Sequence, residues 1–97
     1  MEDTGLSKEI LEELTNIAKN YPKYEFYIFG SRAKFSYKNN SDIYIAVFEN
    51  VDEKDEFKIR NDFDLLNIIY KIDLVFITKN TKEELLKSIN NNKIKIY

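Results

Sequence analysis

Gly30-Ser31-Arg32 and two aspartates further along the chain are the residues whose types and spacing could support chemistry. The triplet follows a β-rich stretch, and Asp42 comes ten residues after Arg32, at the start of another such stretch. Gly30 permits a sharp turn and the close approach of a ligand, while Ser31 offers a hydroxyl and an amide to phosphate oxygens. Arg32 would add positive charge, and a helix starting here would add its dipole. These residues indicate a site for a phosphorylated ligand.

A pair of carboxylates on one strand would complement such a turn. Side chains at positions i and i+2 of a strand point to the same side and can hold magnesium around a triphosphate. Asp42 supplies one carboxylate, but Tyr44 stands two residues later, and tyrosine is a poor magnesium ligand. Asp73 interrupts the apolar run 72–77, where an unpaired charge is costly to bury. We therefore expect Asp73 either to meet a metal or cation or to lie at an exposed strand edge.

Each of these residues also has a purely structural interpretation. Gly30 and Ser31 can form an ordinary turn with Arg32 in solvent, and Asp42 can cap a turn. Tyr44 is a good strand residue whose ring can fill the space of an absent metal, although its hydroxyl could also be modified or its ring stack on a base. The order of the turn, Asp42 and Asp73 along the chain favours a site over coincidence.

Alternating helices and strands are predicted to position these residues. Helices are expected over 7–20, capped by Ser7, over 52–70, and over 81–90, where Thr81 and Glu84 form a capping box. Strands are expected over 24–29, 42–48 and 72–77, with a short terminal strand over 93–97, and 32–37 is expected to be a short helix or an irregular turn. This order predicts one α/β (α+β) domain over residues 1–97, a small mixed sheet flanked by helices.

The second strand shows the clearest alternation. Ile43, Ile45 and Val47 share one of its faces, and Asp42, Tyr44 and Ala46 share the other. This alternation is typical of a strand with one apolar face.

Composition narrows the chemistry. The chain has no cysteine and no histidine, so catalysis would depend on carboxylates. Its 15 basic and 17 acidic residues give a net charge of -2, which indicates no general affinity for nucleic acid. It has no long apolar run, and Met1-Glu2-Asp3 does not begin a signal peptide. We expect a cytoplasmic protein without a membrane span.

The motif residues together resemble the nucleotidyltransferase signature of the polymerase-beta superfamily. The signature is a Gly-Ser turn followed by Ser-Asp-x-Asp on the next strand, matched here by Gly30-Ser31 and Ser41-Asp42-Ile43-Tyr44. Ile72-Asp73-Leu74-Val75 resembles the setting of the third family carboxylate. The resemblance implies a polymerase-beta-like fold with ATP as substrate. It also implies Gly30, Ser31 and Arg32 on phosphates, with Asp42 and Asp73 as catalytic ligands of Mg²⁺.

Two positions depart from the family pattern. Tyr44 stands where the missing third metal ligand is expected, and Phe35 stands where the family often carries a second glycine. Both departures bear on whether the nucleotide site is complete.

Stand-alone domains of this size resemble minimal nucleotidyltransferase (MNT) antitoxins, which are partners of HEPN ribonuclease toxins in prokaryotes. Some of these antitoxins add AMP to a tyrosine of the toxin. The first hypothesis is therefore an adenylyltransferase that modifies a HEPN-type partner, and the second is a degenerate domain that acts by protein-protein contact alone. A third hypothesis, a structural module with coincidental motif residues, requires Gly30, Asp42 and Asp73 to be distant in space.

Overall fold

The computed structural model of the protein describes residues 4–97. The prediction that Met1-Glu2-Asp3 does not begin a signal peptide concerns residues outside this range. Three α-helices and four strands lie within it: α1 (Lys8–Lys19), β1 (Glu25–Phe29), β2 (Ile43–Phe48), α2 (Glu53–Asp64), β3 (Ile72–Phe76), α3 (Glu83–Asn92) and β4 (Ile94–Lys95). A 3-10 helix, Gly30–Arg32, follows β1 directly. No helix in residues 4–97 has the length and apolar character needed to cross a membrane.

The strands form one mixed sheet in the order β3-β2-β1-β4. β1 pairs antiparallel with both β2 and β4, whereas β2 and β3 run parallel. A parallel pair needs a crossover connection, and α2 supplies it. The predicted fold class, a small mixed sheet flanked by helices, is confirmed.

The two faces of the sheet are covered unequally. One face packs against α1 and α2, and its Phe26, Ile28 and Ile45 side chains are fully buried. The opposite face has a smaller cluster in which Phe29 and Ala46 contact Ile77 and Ile89. Because side chains alternate along a strand, Tyr44 and Asp73 belong to this second face. The predicted alternation in β2 is therefore confirmed.

Helix starts were predicted with mixed success. The Ser7 hydroxyl accepts a hydrogen bond from the Ile10 amide at 3.2 Å, which confirms the cap of α1. The capping box at Thr81 is wrong, because α3 begins at Glu83 after Lys82. The Thr81 hydroxyl instead accepts from the Thr78 amide at 2.9 Å and closes the turn before the helix.

The predicted extension of α2 to residue 70 is also wrong, since the helix ends at Asp64. Leu66, Ile68 and Tyr70 still pack against the core, but from an irregular segment that leads into β3. Their spacing of two residues is that of an extended chain. An apolar pattern therefore continued past the helix end and was misread as helical.

Candidate functional site

The Gly30 turn links β1 to the loop before β2. Gly30 has a φ of 80°, a left-handed conformation that glycine adopts readily. The amides of Ala33 and Lys34 both donate to the Gly30 carbonyl at 3.1 Å, which closes the turn. The segment 32–37, predicted as a short helix or an irregular turn, is a turn through Phe35 followed by irregular chain. The 3-10 helix that leads into it spans only Gly30–Arg32. It is too short for the helix dipole predicted to help bind phosphate.

Tyr44 lies against this turn. A Cβ atom added to Gly30 would come within 3.2 Å of Cδ2 of the Tyr44 ring. Tyr44 is also the register partner of Phe29, and their ring centroids are 5.7 Å apart. The tyrosine ring therefore covers Gly30 on the side that faces β2.

Asp73 neighbours Tyr44 across the parallel strands, where the two residues are register partners. Asp42 directly precedes β2, and the next residue, Ile43, donates its amide to the Lys71 carbonyl at 2.8 Å. The structure therefore places the Tyr44 ring against Gly30, pairs Tyr44 with Asp73, and places Asp42 immediately before β2. In the order of the strands, Tyr44 lies between the Gly30 turn and Asp73.

Asp73 meets both parts of its expectation. It lies on β3, an edge strand of the described sheet, and its side chain is 36% exposed. Its carboxylate lies 3.7 Å from the Lys71 ammonium, whose side chain is 72% exposed. Exposed ion pairs of this kind contribute little free energy, so Lys71 can give way to another cation.

The carboxylates fit one mode of magnesium binding and not another. Among residues 4–97, no three or more histidine, cysteine, aspartate or glutamate side chains cluster as a metal cage. Magnesium, however, commonly binds one or two carboxylates together with substrate phosphates. Asp42 and Asp73 are hard oxygen donors suited to that shared mode. A site made of protein ligands alone does not form in this part of the chain.

Arg32 lies inside the protein. Its side chain is 1% exposed, although the sequence predicted it on phosphate or in solvent. Its guanidinium donates to the backbone carbonyls of Thr4 and Ser41, each at 2.8 Å through one terminal nitrogen. These contacts could not be predicted from local sequence, because Thr4 is distant along the chain and every residue type offers the same backbone carbonyl.

Phe35 has a backbone conformation typical of glycine, the residue that the resemblance implies at this position. Its φ is 61°, a conformation that is unusual for a bulky side chain, and its ring is 54% exposed. The turn therefore keeps a glycine-type backbone although the residue is phenylalanine.

A surface depression lies along α1, away from the motif residues. It is lined by Lys8, Leu11, Glu12, Thr15, Asn16 and Lys19. α1 packs against the opposite face of the sheet, so none of the motif residues borders this depression.

The sequence profile of the family described as Polymerase beta, Nucleotidyltransferase matches residues 12–97. The chain therefore belongs to the polymerase beta nucleotidyltransferase family. No curated protein sequence matches it.

Solved structures show the same fold. A toxin-antitoxin structure with AMP-PNP is similar with a TM-score of 0.64 and 22% identity, over 90% of this chain and 72% of that chain. A MntA-HpeT toxin-antitoxin structure with two aspartate-to-glutamate substitutions has a TM-score of 0.60 and 22% identity, over 95% of this chain and 73% of that chain. A candidate nucleotidyltransferase from Sulfolobus solfataricus has a TM-score of 0.53 and 22% identity, over 91% of this chain and 76% of that chain. At such identities the likeness concerns the fold.

Proposed function

We propose that this chain is an antitoxin of the minimal nucleotidyltransferase type that transfers AMP from ATP to a hydroxyl of a partner toxin. The observation that carries the proposal is the position of two carboxylates near the Gly30 turn: Asp73 is paired with Tyr44 on β3, and Asp42 immediately precedes β2. Similar folds occur in toxin-antitoxin structures, one of which contains the ATP analogue AMP-PNP. We further propose a tyrosine of a HEPN-type toxin as the acceptor.

In this proposal, Gly30 and Ser31 contact the triphosphate, while Asp42 and Asp73 hold Mg²⁺ jointly with phosphate oxygens. Bound magnesium would stabilise the charge that develops on the phosphates. Asp73 lies at the sheet edge, where an acceptor from another protein can approach. The acceptor oxygen attacks the α-phosphorus, its proton passes to the Asp73 carboxylate, and pyrophosphate leaves.

Tyr44 supports a second candidate function, neutralisation of the partner by contact alone. Its ring lies against Gly30, and it stands at the sequence position where the family resemblance implies a metal-binding carboxylate. In the MntA-HpeT structure the two substituted aspartates are separated by one residue, which is also the spacing of Asp42 and Tyr44. A domain that has lost both this ligand and free access to the turn would retain only its binding surface.

Calorimetric titration of ATP with magnesium into the wild type, Tyr44→Asp and Tyr44→Asn separates these candidates. Both variants remove the ring from Gly30, but only aspartate adds a ligand, so Asn is the matched control. We expect Tyr44→Asp to bind about tenfold more tightly than Tyr44→Asn, a difference of roughly 1.4 kcal/mol. Incubation with ATP and the partner toxin, followed by mass spectrometry, then tests AMP transfer by the wild type.

The outcomes point in different directions. Binding by the wild type together with an AMP adduct on the partner would support the transferase. Absence of nucleotide binding by all three proteins would exclude it and leave the contact function.

A further inference from the structure

Arg32 makes an unusual set of contacts for a residue in a phosphate-binding motif. Nε and Nη2 both donate to the Ser41 carbonyl, at 3.2 Å and 2.8 Å, and Nη1 donates to the Thr4 carbonyl at 2.8 Å. Only 1% of the residue is exposed, so the guanidinium lies inside the protein. A phosphate could reach it only by displacing one of these partners.

Two tyrosine rings also lie near the guanidinium. Its central carbon lies 4.4 Å from the ring centroid of Tyr70 and 5.2 Å from that of Tyr37. Both distances are within the range of cation-π attraction, which strengthens when the cation is removed from water. The rings and carbonyls together hold the guanidinium plane in one orientation.

Two partners of Arg32, Ser41 and Tyr70, come shortly before the candidate metal ligands in the chain. Ser41 is the residue before Asp42, and Tyr70 lies three residues before Asp73. Arg32 itself directly follows Gly30 and Ser31. One guanidinium thus connects the Gly30 turn to the chain segments that enter β2 and β3.

We infer that Arg32 is a positioning residue that fixes both carboxylates relative to the Gly30 turn, and that it does not bind phosphate itself. The inference rests on the proposed nucleotide site. The planar fork of arginine suits this role because two parallel donors can grip one carbonyl while a third reaches another. Lysine has the same charge but only a single compact donor group, so it cannot reproduce all of these contacts.

Calorimetry of ATP binding with magnesium and with EDTA tests the role. We compare the wild type with Arg32→Met, Arg32→Lys and the control Lys34→Met, which removes a positive charge from an exposed residue of the same turn. A positioning role predicts that Arg32→Met loses about tenfold or more of the affinity gained on adding magnesium, as for other residues that orient metal ligands. Its affinity in EDTA should stay within about twofold of the wild type, because the phosphate contacts remain.

Arg32→Lys should recover part of the magnesium-dependent gain, and Lys34→Met should leave that gain unchanged. Equal loss of affinity by Arg32→Met with and without magnesium would identify a phosphate ligand and overturn the inference.

Amide hydrogen exchange of the ligand-free protein provides a test that does not need the nucleotide site. In Arg32→Met we expect exchange at residues 41–44 and 71–74 to become about tenfold faster relative to amides of α1, roughly the effect of losing one buried hydrogen bond. If the wild type binds no nucleotide, the proposed function fails but this comparison still tests Arg32. Unchanged exchange would overturn the inference. Should Arg32→Met not fold, Tyr70→Leu removes the nearer ring and is measured instead.

Discussion

Tyr44 alters the electrostatics of the candidate site more than any other motif residue. A metal-bound triphosphate carries several negative charges, and nucleotidyltransferase sites offset them with cations held by carboxylates. Replacing one carboxylate by a neutral phenol removes a ligand without adding a charge that could serve instead. In the proposed site, Asp73 and Asp42 would then be the two carboxylates left to share magnesium. The effect of Tyr44→Asp on nucleotide affinity, described above, measures this loss directly.

Phe35 tests whether the turn after Gly30 is strained. Phe35 has a φ of 61°, and a left-handed conformation costs a residue with a Cβ atom roughly 1–2 kcal/mol. We expect Phe35→Gly to be more stable than Phe35→Ala by about 1 kcal/mol, because both lose the exposed ring but only glycine relaxes the backbone. Urea denaturation at pH 7 measures the difference.

The comparison of the two variants removes the contribution of the aromatic ring itself. Equal stability of Phe35→Gly and Phe35→Ala would mean that the turn carries no backbone strain.

Two tyrosines fasten α2 to the start of β1. The Tyr21 hydroxyl donates to the Asp62 carboxylate, and the Tyr24 hydroxyl donates to that of Asp55. Burial, helped by the Asp62 contact, raises the pKa of Tyr21 above its ordinary value. The hydrogen bond to Asp55, helped by burial, raises the pKa of Tyr24 to about 12. Both shifts mean that the folded protein favours the neutral phenol.

The Tyr24 contact predicts a specific dependence of stability on pH. Since the pKa of Tyr24 is about 12 when folded and about 10 when unfolded, its contribution is fully present below pH 10 and disappears as the pH rises to 12. Tyr24→Phe should lower the free energy of unfolding by about 1.5–3 kcal/mol at pH 7, the usual effect of a hydrogen bond to a charged group. The difference in the free energy of unfolding between wild type and variant should become smaller between pH 10 and 12.

Urea denaturation of both proteins across this pH range measures the difference. Tyr97→Phe, a change at a residue 54% exposed, serves as the control and should track the wild type throughout. A difference that stays constant up to pH 12 would contradict the assigned hydrogen bond.

The whole domain depends on one large core between the sheet and the pair α1 and α2. Phe26 is fully buried there, while Phe57 on α2 is 74% exposed. Phe26→Ala should lower the free energy of unfolding by about 3–5 kcal/mol, a large part of the 5–15 kcal/mol typical of a domain. Phe57→Ala should change it by no more than about 0.5 kcal/mol.

Chemical denaturation of the two variants compares the same substitution in opposite surroundings. Similar losses at both positions would mean that α2 is packed in a different rotation from the one described.

Local sequence patterns predicted the fold well where one residue's neighbours decide its structure. The alternation of Ile43, Ile45 and Val47 identified β2, and Ser7 identified the start of α1. The predictions were wrong where the same residue spacing fits two different local structures. Leu66 and Tyr70 fit a helix by their interval of four but belong to an irregular segment, and Thr81 fits a capping box but closes the preceding turn.

The sequence by itself determined the order of the Gly30 turn, Asp42 and Asp73, and the strands that carry them, because these depend on residue type and short-range spacing. Tertiary structure alone decided that the Tyr44 ring lies against Gly30, that Asp73 falls on an edge strand, and that Arg32 is buried between Thr4 and Ser41. Each of these features depends on parts of the chain that are separated in sequence. Their proximity follows from strand order and register, which the packing of the whole core selects.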